Sequence, residues 1–316
     1  MTIKNIYLQR LISDEDLKTL TGDYLNDEYI TQLIASDVDV YDKDTNQLLV
    51  SFRKKRLRTN HIAWDNLAQL AVAARGRGAA AGPINADSVY FRKRNLHNTR
   101  KFKTGYLKPN GEPSKMTISN QVCSTPIGYF EAMKAVGSEL PCRLTYQTAL
   151  KLKKYQAGIP YIVEVDKWYK KLNPVKHKLQ RTRASQRPKF QIEKTAFSTI
   201  TINRNFRTGL HKDKGDFGGY AMLSVLERGQ YNGGLLMIPA YGIGIDIREG
   251  DVLSLKVSEY HCNQEIWTTP EQDKFNEQLP LRFKLDTKVG TLGLEQRYSR
   301  ISFVSYLREK LIKCDK

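Results

Sequence analysis

The stretch TAFSTITINRNFRTGLHKDKGDFGGYAMLSVLE, residues 195–227, places two apolar, β-prone runs on either side of a charged, glycine-bracketed turn. Short segments of the same β-rich kind follow it, separated by Gly, Asp and Asn turns. They are GGLLMIPAY, GIGIDI, GDVLSLKV, YHCNQEIW and RYSRISFVSYLRE. Many short strands with such turns are typical of an antiparallel barrel or jelly roll.

The N-terminal part of the 316-residue chain has a different pattern. Acidic N-cap signals predict a helix over about residues 12–36, and residues 37–54 read as a hairpin that turns at Asp-Lys-Asp-Thr-Asn. The segment IPYIVEV, residues 159–165, reads as an apolar strand. We therefore expect an α+β fold with an α/β N-terminal region, residues 1–115, and a jelly-roll core with supporting helices, residues 116–316.

Positive charge dominates the chain, with 51 Lys and Arg against 33 Asp and Glu and a formal net charge of +18. Residues 51–110 hold fourteen basic and two acidic residues, with RKKRLR and YFRKRNLHNTRKFKTGY as the densest runs, and KLNPVKHKLQRTRASQRPK follows at 171–189. Such runs are often solvated faces, but basic residues mixed with aromatic ones also suit phosphate contact and base stacking. The balance favours a nucleic-acid partner, with an acidic membrane surface second.

The four cysteines are widely spaced and form no CxxC pair, so neither a zinc ribbon nor a disulfide framework is predicted. No apolar stretch approaches the roughly 20 residues of a membrane helix, and the N-terminus has no signal-peptide core. These features predict an intracellular protein without a membrane partner. A monomer is favoured, although nothing in the sequence fixes the oligomeric state.

The charged turn sets His211 and Asp213 two residues apart. On its own such a pair is usually an ordinary turn. In extended backbone, however, both side chains project to the same side and could bind one metal ion. His261, in SEYHCNQEI, is the other histidine of the β-rich half. It is either a barrel histidine or the third ligand of a 2-His-1-carboxylate triad, which suits non-haem Fe(II) oxygen chemistry.

A triad that also binds 2-oxoglutarate needs a fixed cation for the far carboxylate of that molecule. The last strand offers Arg297 and Arg300. Strand alternation puts Arg300 and Ser302 on the face opposite Ile301 and Phe303, whereas Arg297 shares the apolar parity. Arg300 and Ser302 are therefore the predicted carboxylate ligands, the alternative being an arginine on a solvent face.

The stretches TAFSTITINRNFRTGLHKDKGDFGGY, GGLLMIPAYGIGIDIREGDVLSLKVSEYHCN and SRISFVSYLRE resemble the oxygenase domain of the TET/JBP family of iron- and 2-oxoglutarate-dependent nucleic-acid base hydroxylases. With ARGRGAAAG upstream, the resemblance covers roughly residues 70–310 and looks closer to the JBP thymine hydroxylases than to the TET methylcytosine oxidases.

This resemblance implies a double-stranded β-helix core, with Fe(II) on His211, Asp213 and His261 and with Arg300 on 2-oxoglutarate. It also implies that Asp216 faces the target base, although Asp216 could instead cap the turn. Asn205 and Arg207 would line the cosubstrate or substrate side. The implied reaction uses O2 to hydroxylate the 5-methyl group of thymine in DNA that is single-stranded or has the base flipped out.

Three alternatives remain open at this point. The base could be 5-methylcytosine or a base in RNA. The protein could be a non-catalytic, cupin-like nucleic-acid binder, or it could hydroxylate a protein or a small molecule. A DNA-directed enzyme would be nuclear in a eukaryote, and in the host cell if viral.

Overall fold

The computed structural model describes residues 3–71, 84–85, 116–117, 123–135, 138–279 and 298–315. Its strands are β1 (Lys4–Leu8), β2 (Gln32–Ile34), β3 (Val38–Asp42), β4 (Leu48–Arg53), β5 (Ile84–Asn85), β6 (Met116–Thr117), β7 (Cys123–Phe130), β8 (Met133–Ala135), β9 (Ser138–Leu140), β10 (Arg143–Leu144), β11 (Thr199–Arg204), β12 (Tyr220–Arg228), β13 (Asn232–Gly233), β14 (Leu236–Ile238), β15 (Ile243–Ile245), β16 (Val252–Lys256), β17 (Cys262–Asn263), β18 (Ile266–Trp267) and β19 (Ser299–Tyr306).

The helices are mostly short. They are α1 (Asp14–Thr19), α2 (Asn60–Ile62), α3 (Ala68–Ala71), α4 (Tyr146–Leu150), α5 (Leu152–Leu172), α6 (Pro174–Ala184) and α7 (Pro270–Gln278), with a π-helical turn at Ala63–Leu67. Single 3-10 turns occur at Asp27–Tyr29, Pro188–Phe190, Phe217–Gly219, Pro239–Tyr241 and Glu309–Lys313. No helix within the described ranges is long and apolar enough to cross a membrane.

Two sheets build the core. A nine-stranded sheet has the order β1-β3-β4-β16-β12-β19-β11-β7-β10, and a four-stranded sheet has the order β17-β14-β15-β2. The strands β16, β12, β19, β11 and β7 pair antiparallel with their neighbours. Apolar side chains of both sheets, such as Val50 and Leu223 from the large one and Ile238 and Ile245 from the small one, share one buried cluster. The sheets therefore face each other, as the predicted jelly roll requires.

A layer of helices covers the other face of the large sheet. Ile200, Ile202 and Phe303 point from β11 and β19 into a second buried cluster, where they meet Tyr161 and Tyr169 of α5. The alternation of β19 thus sends its odd-numbered residues toward the helices and its even-numbered residues toward the space between the sheets. This alternation places Arg300 and Ser302 on the side of the large sheet that faces the small sheet.

Two of the local predictions were wrong. The segment IPYIVEV lies inside α5, because its apolar positions continue a helical period through Tyr155, Ile162, Val165 and Tyr169. Helix α5 packs so closely on the π turn that a Cβ added at Gly158 would lie 2.2 Å from Leu67.

The helix predicted over 12–36 ends at Thr19. The backbone of the following segment pairs elsewhere: Gly22 N–H donates to Leu210, and residues 32–34 form β2, which runs parallel to β15. The hairpin prediction is confirmed by β3 and β4, whose turn is held by the carboxylate of Asp42.

The N-terminal strands belong to the same sheet as the C-terminal ones. β4 pairs antiparallel with β16, and β3 and β1 extend that edge. The sheet therefore crosses the division between 1–115 and 116–316 that the sequence suggested.

A disulfide joins Cys142 to Cys314, contrary to the expectation from cysteine spacing. The two residues are 172 apart in sequence. They meet because the segment before β10 lies beside the C-terminal 3-10 turn, and local spacing carries no information about such a pairing. Cys262 is a buried free thiol.

Candidate metal and cosubstrate site

His211 and His261 face each other across a short antiparallel bridge, with His261 directly before β17, the edge strand of the four-stranded sheet. The N–H of His211 donates to the carbonyl of His261 at 3.0 Å, and the reciprocal bond is 2.9 Å long. The two ring centroids lie 4.4 Å apart. This backbone pairing thus joins two residues that are fifty positions apart in sequence and fixes both imidazoles.

Asp213 completes the cluster. Its N–H donates to the carbonyl of Val257 at 3.0 Å. Its carboxylate oxygens lie 3.4 Å from Nε2 of His211 and 3.7 Å from Nε2 of His261. One ligand atom from each residue falls within a 4.8 Å cluster, so the structure brings together the three residues that the sequence predicted as metal ligands.

Backbone carbonyls orient both rings. Nδ1 of His211 lies 2.8 Å from the carbonyl of Gly209, and Nδ1 of His261 lies 2.9 Å from that of Glu259. With each Nδ1–H donating to a carbonyl, each Nε2 faces the carboxylate of Asp213. This arrangement is typical of metal-binding histidines, whose outer nitrogen is fixed by a second hydrogen bond.

Electrostatics favour the ligand forms of His261 and Asp213. Burial and the neighbouring His211 lower the pKa of His261 to about 4, which keeps its imidazole neutral. Burial opposes ionisation of Asp213, but the hydrogen bond and charge of His211 outweigh it and hold the pKa of that carboxyl below its usual value. Burial opposes protonation of His211, but the hydrogen bond and charge of Asp213 outweigh it and raise the pKa of His211, so a metal ion would displace a proton from this imidazole. Two imidazole nitrogens and one carboxylate oxygen suit Fe(II).

The triad lines a cavity of about 810 Å³ between the sheets. The even-numbered residues of β19 form one wall, with Thr201 and Asn203 of β11 beside them. Residues of β12, β14 and β16 supply apolar lining: Ala221, Leu223, Leu236 and Leu255.

Arg300 lies in this cavity with donors that nothing satisfies. It is 5% exposed, and its Nε and Nη2 are buried without a hydrogen-bond partner among the described residues. Burial lowers the pKa of its guanidinium to about 10, but the group stays charged at neutral pH. A buried cation with unpaired donors fits the carboxylate of a bound ligand. Arg297, the competing residue, lies outside the described residues.

Asn203 is a cavity residue that the sequence reasoning missed. It pairs in register with Ser302, and its Oδ1 is buried without a partner in the described part of the chain. Its parity with Thr201 in TITIN was the available signal, since alternate residues of a strand share a face. Arg300, Ser302 and Asn203 together form a polar end to the cavity that fits a carboxylate, and the triad fits a metal ion.

Asn205 and Arg207 lie outside the cavity lining. Asn205 has a φ of 45° and bridges two strand ends, accepting from the N–H of Arg300 at 2.6 Å and donating to the carbonyl of Tyr298 at 2.8 Å. Arg207 donates to the carbonyl of Leu25 at 2.7 Å and packs over a tyrosine ring. Asn205 thus fixes the start of β19, where Arg300 stands, and contact of either side chain with a cosubstrate stays a prediction.

Asp216 and Arg308 line the cavity near its opening and form a backbone bridge. The guanidinium of Arg308 is paired with the carboxylate of Glu131 and lies over the ring of Phe130, 4.7 Å from its centroid. Burial and the charge of Asp213 raise the pKa of Asp216 well above its usual value, while Arg308 opposes this rise. The carboxyl of Asp216 and the guanidinium of Arg308 thus both line the cavity.

The basic run 53–58, predicted to face nucleic acid, is largely engaged within the protein. Arg53 is buried and paired with Asp39, Lys54 with Asp251, and Arg56 with an aspartate in the loop before β3. The acidic partners come from distant segments, so the sequence run alone concealed them. The other dense run of that region, residues 90–106, lies outside the described residues.

Comparison with known proteins gives a consistent result. Residues 125–308 match the family model described as "Tet_JBP: Oxygenase domain of the 2OGFeDO superfamily". The chain is 36% identical over 141 residues to the bifunctional helicase and thymine dioxygenase JBP2 of Leishmania infantum, a match that covers 44% of this chain and 12% of that protein. It is 35% identical over 140 residues to thymine dioxygenase JBP1 of Trypanosoma brucei brucei, covering 44% of this chain and 16% of that protein.

Among solved structures, NgTET1 in complex with 5mC DNA gives a TM-score of 0.47 at 11% identity, over 95% of this chain and 92% of that one. The matches to the two JBP relatives cover 12% and 16% of those proteins, so the chain aligns with only a small part of each.

Proposed function

This chain belongs to the Tet_JBP family of 2-oxoglutarate- and iron-dependent oxygenase domains, and from that premise we propose that it hydroxylates the 5-methyl group of thymine in DNA. The observation that carries the proposal is the pairing, in one cavity, of a His-Asp-His cluster with a buried arginine whose donors are unpaired. The two relatives at 36% and 35% identity, both named thymine dioxygenases, support thymine as the base.

His211, Asp213 and His261 would hold Fe(II), and Arg300, with Ser302 and Asn203 beside it, would hold the far carboxylate of 2-oxoglutarate. The iron, with 2-oxoglutarate and O2, supplies the oxidising power for placing a hydroxyl on a methyl carbon and leaves succinate and CO2. The unpaired Nε and Nη2 donors of Arg300 would hold the cosubstrate carboxylate by charge-assisted hydrogen bonds. The surrounding leucines exclude water from the reacting end of the cavity.

The wall with Asp216 and Arg308 suits the polar edge of a base. A carboxyl oxygen of Asp216 accepts a hydrogen bond from thymine N3–H, and a guanidinium N–H of Arg308 donates to a thymine carbonyl. Because the methyl group lies inside the stacked duplex, the base must be flipped out or already unpaired. The basic segments within 51–108 and 167–194 are proposed to hold the nucleic-acid backbone where their cations are free. An intracellular location, nuclear in a eukaryotic cell, follows from DNA as substrate.

A second candidate keeps the chemistry and changes the base to 5-methylcytosine in DNA or RNA. One feature favours it: the carboxylate of Asp216 also accepts a hydrogen bond from the cytosine amino group.

The experiment is nucleoside mass spectrometry after incubating the protein with Fe(II), ascorbate and 2-oxoglutarate on thymine-containing and methylcytosine-containing oligonucleotides. We expect 5-hydroxymethyluracil, and none from the His211→Ala, Asp213→Ala double variant. Only 5-hydroxymethylcytosine would reassign the base. Unchanged DNA binding without any product would favour a non-catalytic binder, and succinate formation that DNA fails to stimulate would favour another substrate class.

A further inference from the structure

Four cationic side chains line the open end of the cavity, and they divide into two pairs. Lys212 is bound to Asp14 at 2.6 Å, and Arg308 is bound to Glu131. Lys18 and Lys214 are both exposed, and neither has an ion pair or side-chain hydrogen bond with the described residues. Two cations are thus fixed by carboxylates, while the other two have no ion pair among the described residues, although Asp14, Glu15 and Asp16 precede Lys18 on α1.

The free lysines come from different parts of the chain. Lys214 lies between Asp213 and Asp216 in the metal-binding turn. Lys18 lies on α1, outside the residues 125–308 that match the oxygenase family. Helix α1 is tied to the metal-binding turn by the Asp14–Lys212 ion pair. The segment after α1 adds two backbone bonds, Gly22 N–H to Leu210 and Leu210 N–H to Asp23, each 2.8 Å long. The position of Lys18 at the opening is therefore fixed by the fold.

We propose that Lys18 and Lys214 form a phosphate grip that holds the backbone of a nucleic-acid strand while one of its bases occupies the cavity. The inference rests on the proposed function and adds to it which side chains hold the strand at the cavity. A lysine ammonium is a point charge with three donors, which suits a phosphate oxygen whose direction varies between strands. In the proposed function the carboxylates of the lining, Asp213 and Asp216, serve the metal site and the base, and neither forms an ion pair with these two lysines.

The test is the salt dependence of binding of a fluorescein-labelled, thymine-containing single-stranded 12-mer, measured by anisotropy. Each phosphate contact contributes about −0.7 to the slope of log affinity against log salt concentration. Raising salt fourfold therefore weakens binding by about 2.6-fold for each contact. Lys18→Ala and Lys214→Ala should each reduce the slope by about 0.7, and the double variant by about 1.4.

Lys4→Ala and Lys43→Ala are the matched controls, because both lysines are exposed, lie outside the cavity lining and carry the same charge. If the lysines acted only through the overall positive charge of the protein, all four single variants would show the same slope. Equal slopes for Lys18→Ala and Lys4→Ala would overturn the proposal.

A second readout separates strand from free nucleotide. For the Lys18, Lys214 double variant, kcat/KM on the 12-mer should fall about tenfold or more relative to kcat/KM on thymidine, which has no phosphate. An equal fall on thymidine would mean that the lysines shape the cavity instead of holding phosphate. If thymidine 5′-monophosphate competes as well as the 12-mer and loses affinity equally in the variants, the lysines hold a free nucleotide and the strand proposal is wrong. If the wild type makes no product at all, the proposed function fails, but the salt dependence of binding still shows whether Lys18 and Lys214 contact phosphates.

Discussion

Replacing Arg300 by methionine should stabilise the protein in the absence of 2-oxoglutarate and should remove its stabilisation by 2-oxoglutarate. The guanidinium is 5% exposed and has two buried, unpaired nitrogens. A buried donor without a partner costs about 1–3 kcal/mol, and more when the group is charged. Glu227, the cross-strand partner of Arg300 on β12, offsets part of this cost. Methionine has a similar length and no charge, so we expect the free energy of unfolding to rise by about 1–3 kcal/mol.

The same substitution should weaken the binding of 2-oxoglutarate. A carboxylate bound by the arginine fork gains two charge-assisted hydrogen bonds, and losing both should cost about 2–4 kcal/mol, or about 30- to 1000-fold in affinity. At a 2-oxoglutarate concentration about 100 times its Kd, the wild type should gain about 2.7 kcal/mol of stability. At the same concentration Arg300→Met should gain less than about 1 kcal/mol.

The assay is urea unfolding with Mn(II) in place of Fe(II), with and without 2-oxoglutarate. Arg53→Met is the matched control, because Arg53 is also buried but is paired with both oxygens of Asp39 at 2.9 and 3.0 Å. Removing it strands a carboxylate and should destabilise the protein by about 2–4 kcal/mol, with the 2-oxoglutarate effect retained. The reasoning is refuted if Arg300→Met destabilises the ligand-free protein as Arg53→Met does, or if it keeps the wild-type stabilisation by 2-oxoglutarate.

Three further predictions concern recognition of the base, stability at acid pH and the disulfide. Asp216→Ala should lower kcat/KM for thymine-containing DNA by about 5- to 150-fold, since the acceptor for thymine N3–H is lost, while the KM for 2-oxoglutarate changes little. An equal effect on both would move Asp216 to the cosubstrate. Hydrogen bonds to its carboxylate hold the pKa of Asp42 at about 2, below its unfolded value, so its contribution to stability is present above about pH 4 and is lost as pH falls. Between about pH 5 and about pH 3 the free energy of unfolding, measured by urea titration, should therefore fall by about 0.5–1 kcal/mol more in the wild type than in Asp42→Asn. An equal fall in the two proteins would contradict this. Reducing the Cys142–Cys314 disulfide, or replacing both cysteines by serine, should lower the free energy of unfolding by about 2–5 kcal/mol, because the bond closes a loop of 172 residues; an unchanged denaturation midpoint would count against this.

Strand alternation explains why the cavity side of the site was predictable. The side chains of a strand alternate strictly, so Arg300 and Ser302 could be separated from Ile301 and Phe303 without knowledge of the fold. The same rule, applied to β11, would have found Asn203 beside Thr201. The pairing of His211 with His261 was a hypothesis from ligand chemistry, and the structure closes it with two backbone hydrogen bonds.

The errors share a physical cause, which is that the deciding partner lies far away in sequence. The run IPYIVEV is apolar enough for a strand or a buried helix, and its packing on the large sheet decides for the helix. The basic run 53–58 has no acidic partner nearby in sequence, but in the fold Arg53 pairs with Asp39 and Lys54 with Asp251. Cys142 and Cys314 belong to the same class, since no local spacing predicts a contact over 172 residues.

The N-terminal region and the family-matched core depend on each other structurally. Residues 125–308 contain the metal triad, Arg300 and Asp216. Yet within that core the edge of β16 is covered by β4, and the edge of β15 by β2. Leu210, which directly precedes His211, makes both of its backbone bonds to Gly22 and Asp23. Removing the N-terminal strands would expose two sheet edges and release the turn that carries His211 and Asp213. The segment that carries Lys18 to the cavity opening therefore also holds this turn in place, and changes in α1 should be tested for both effects together.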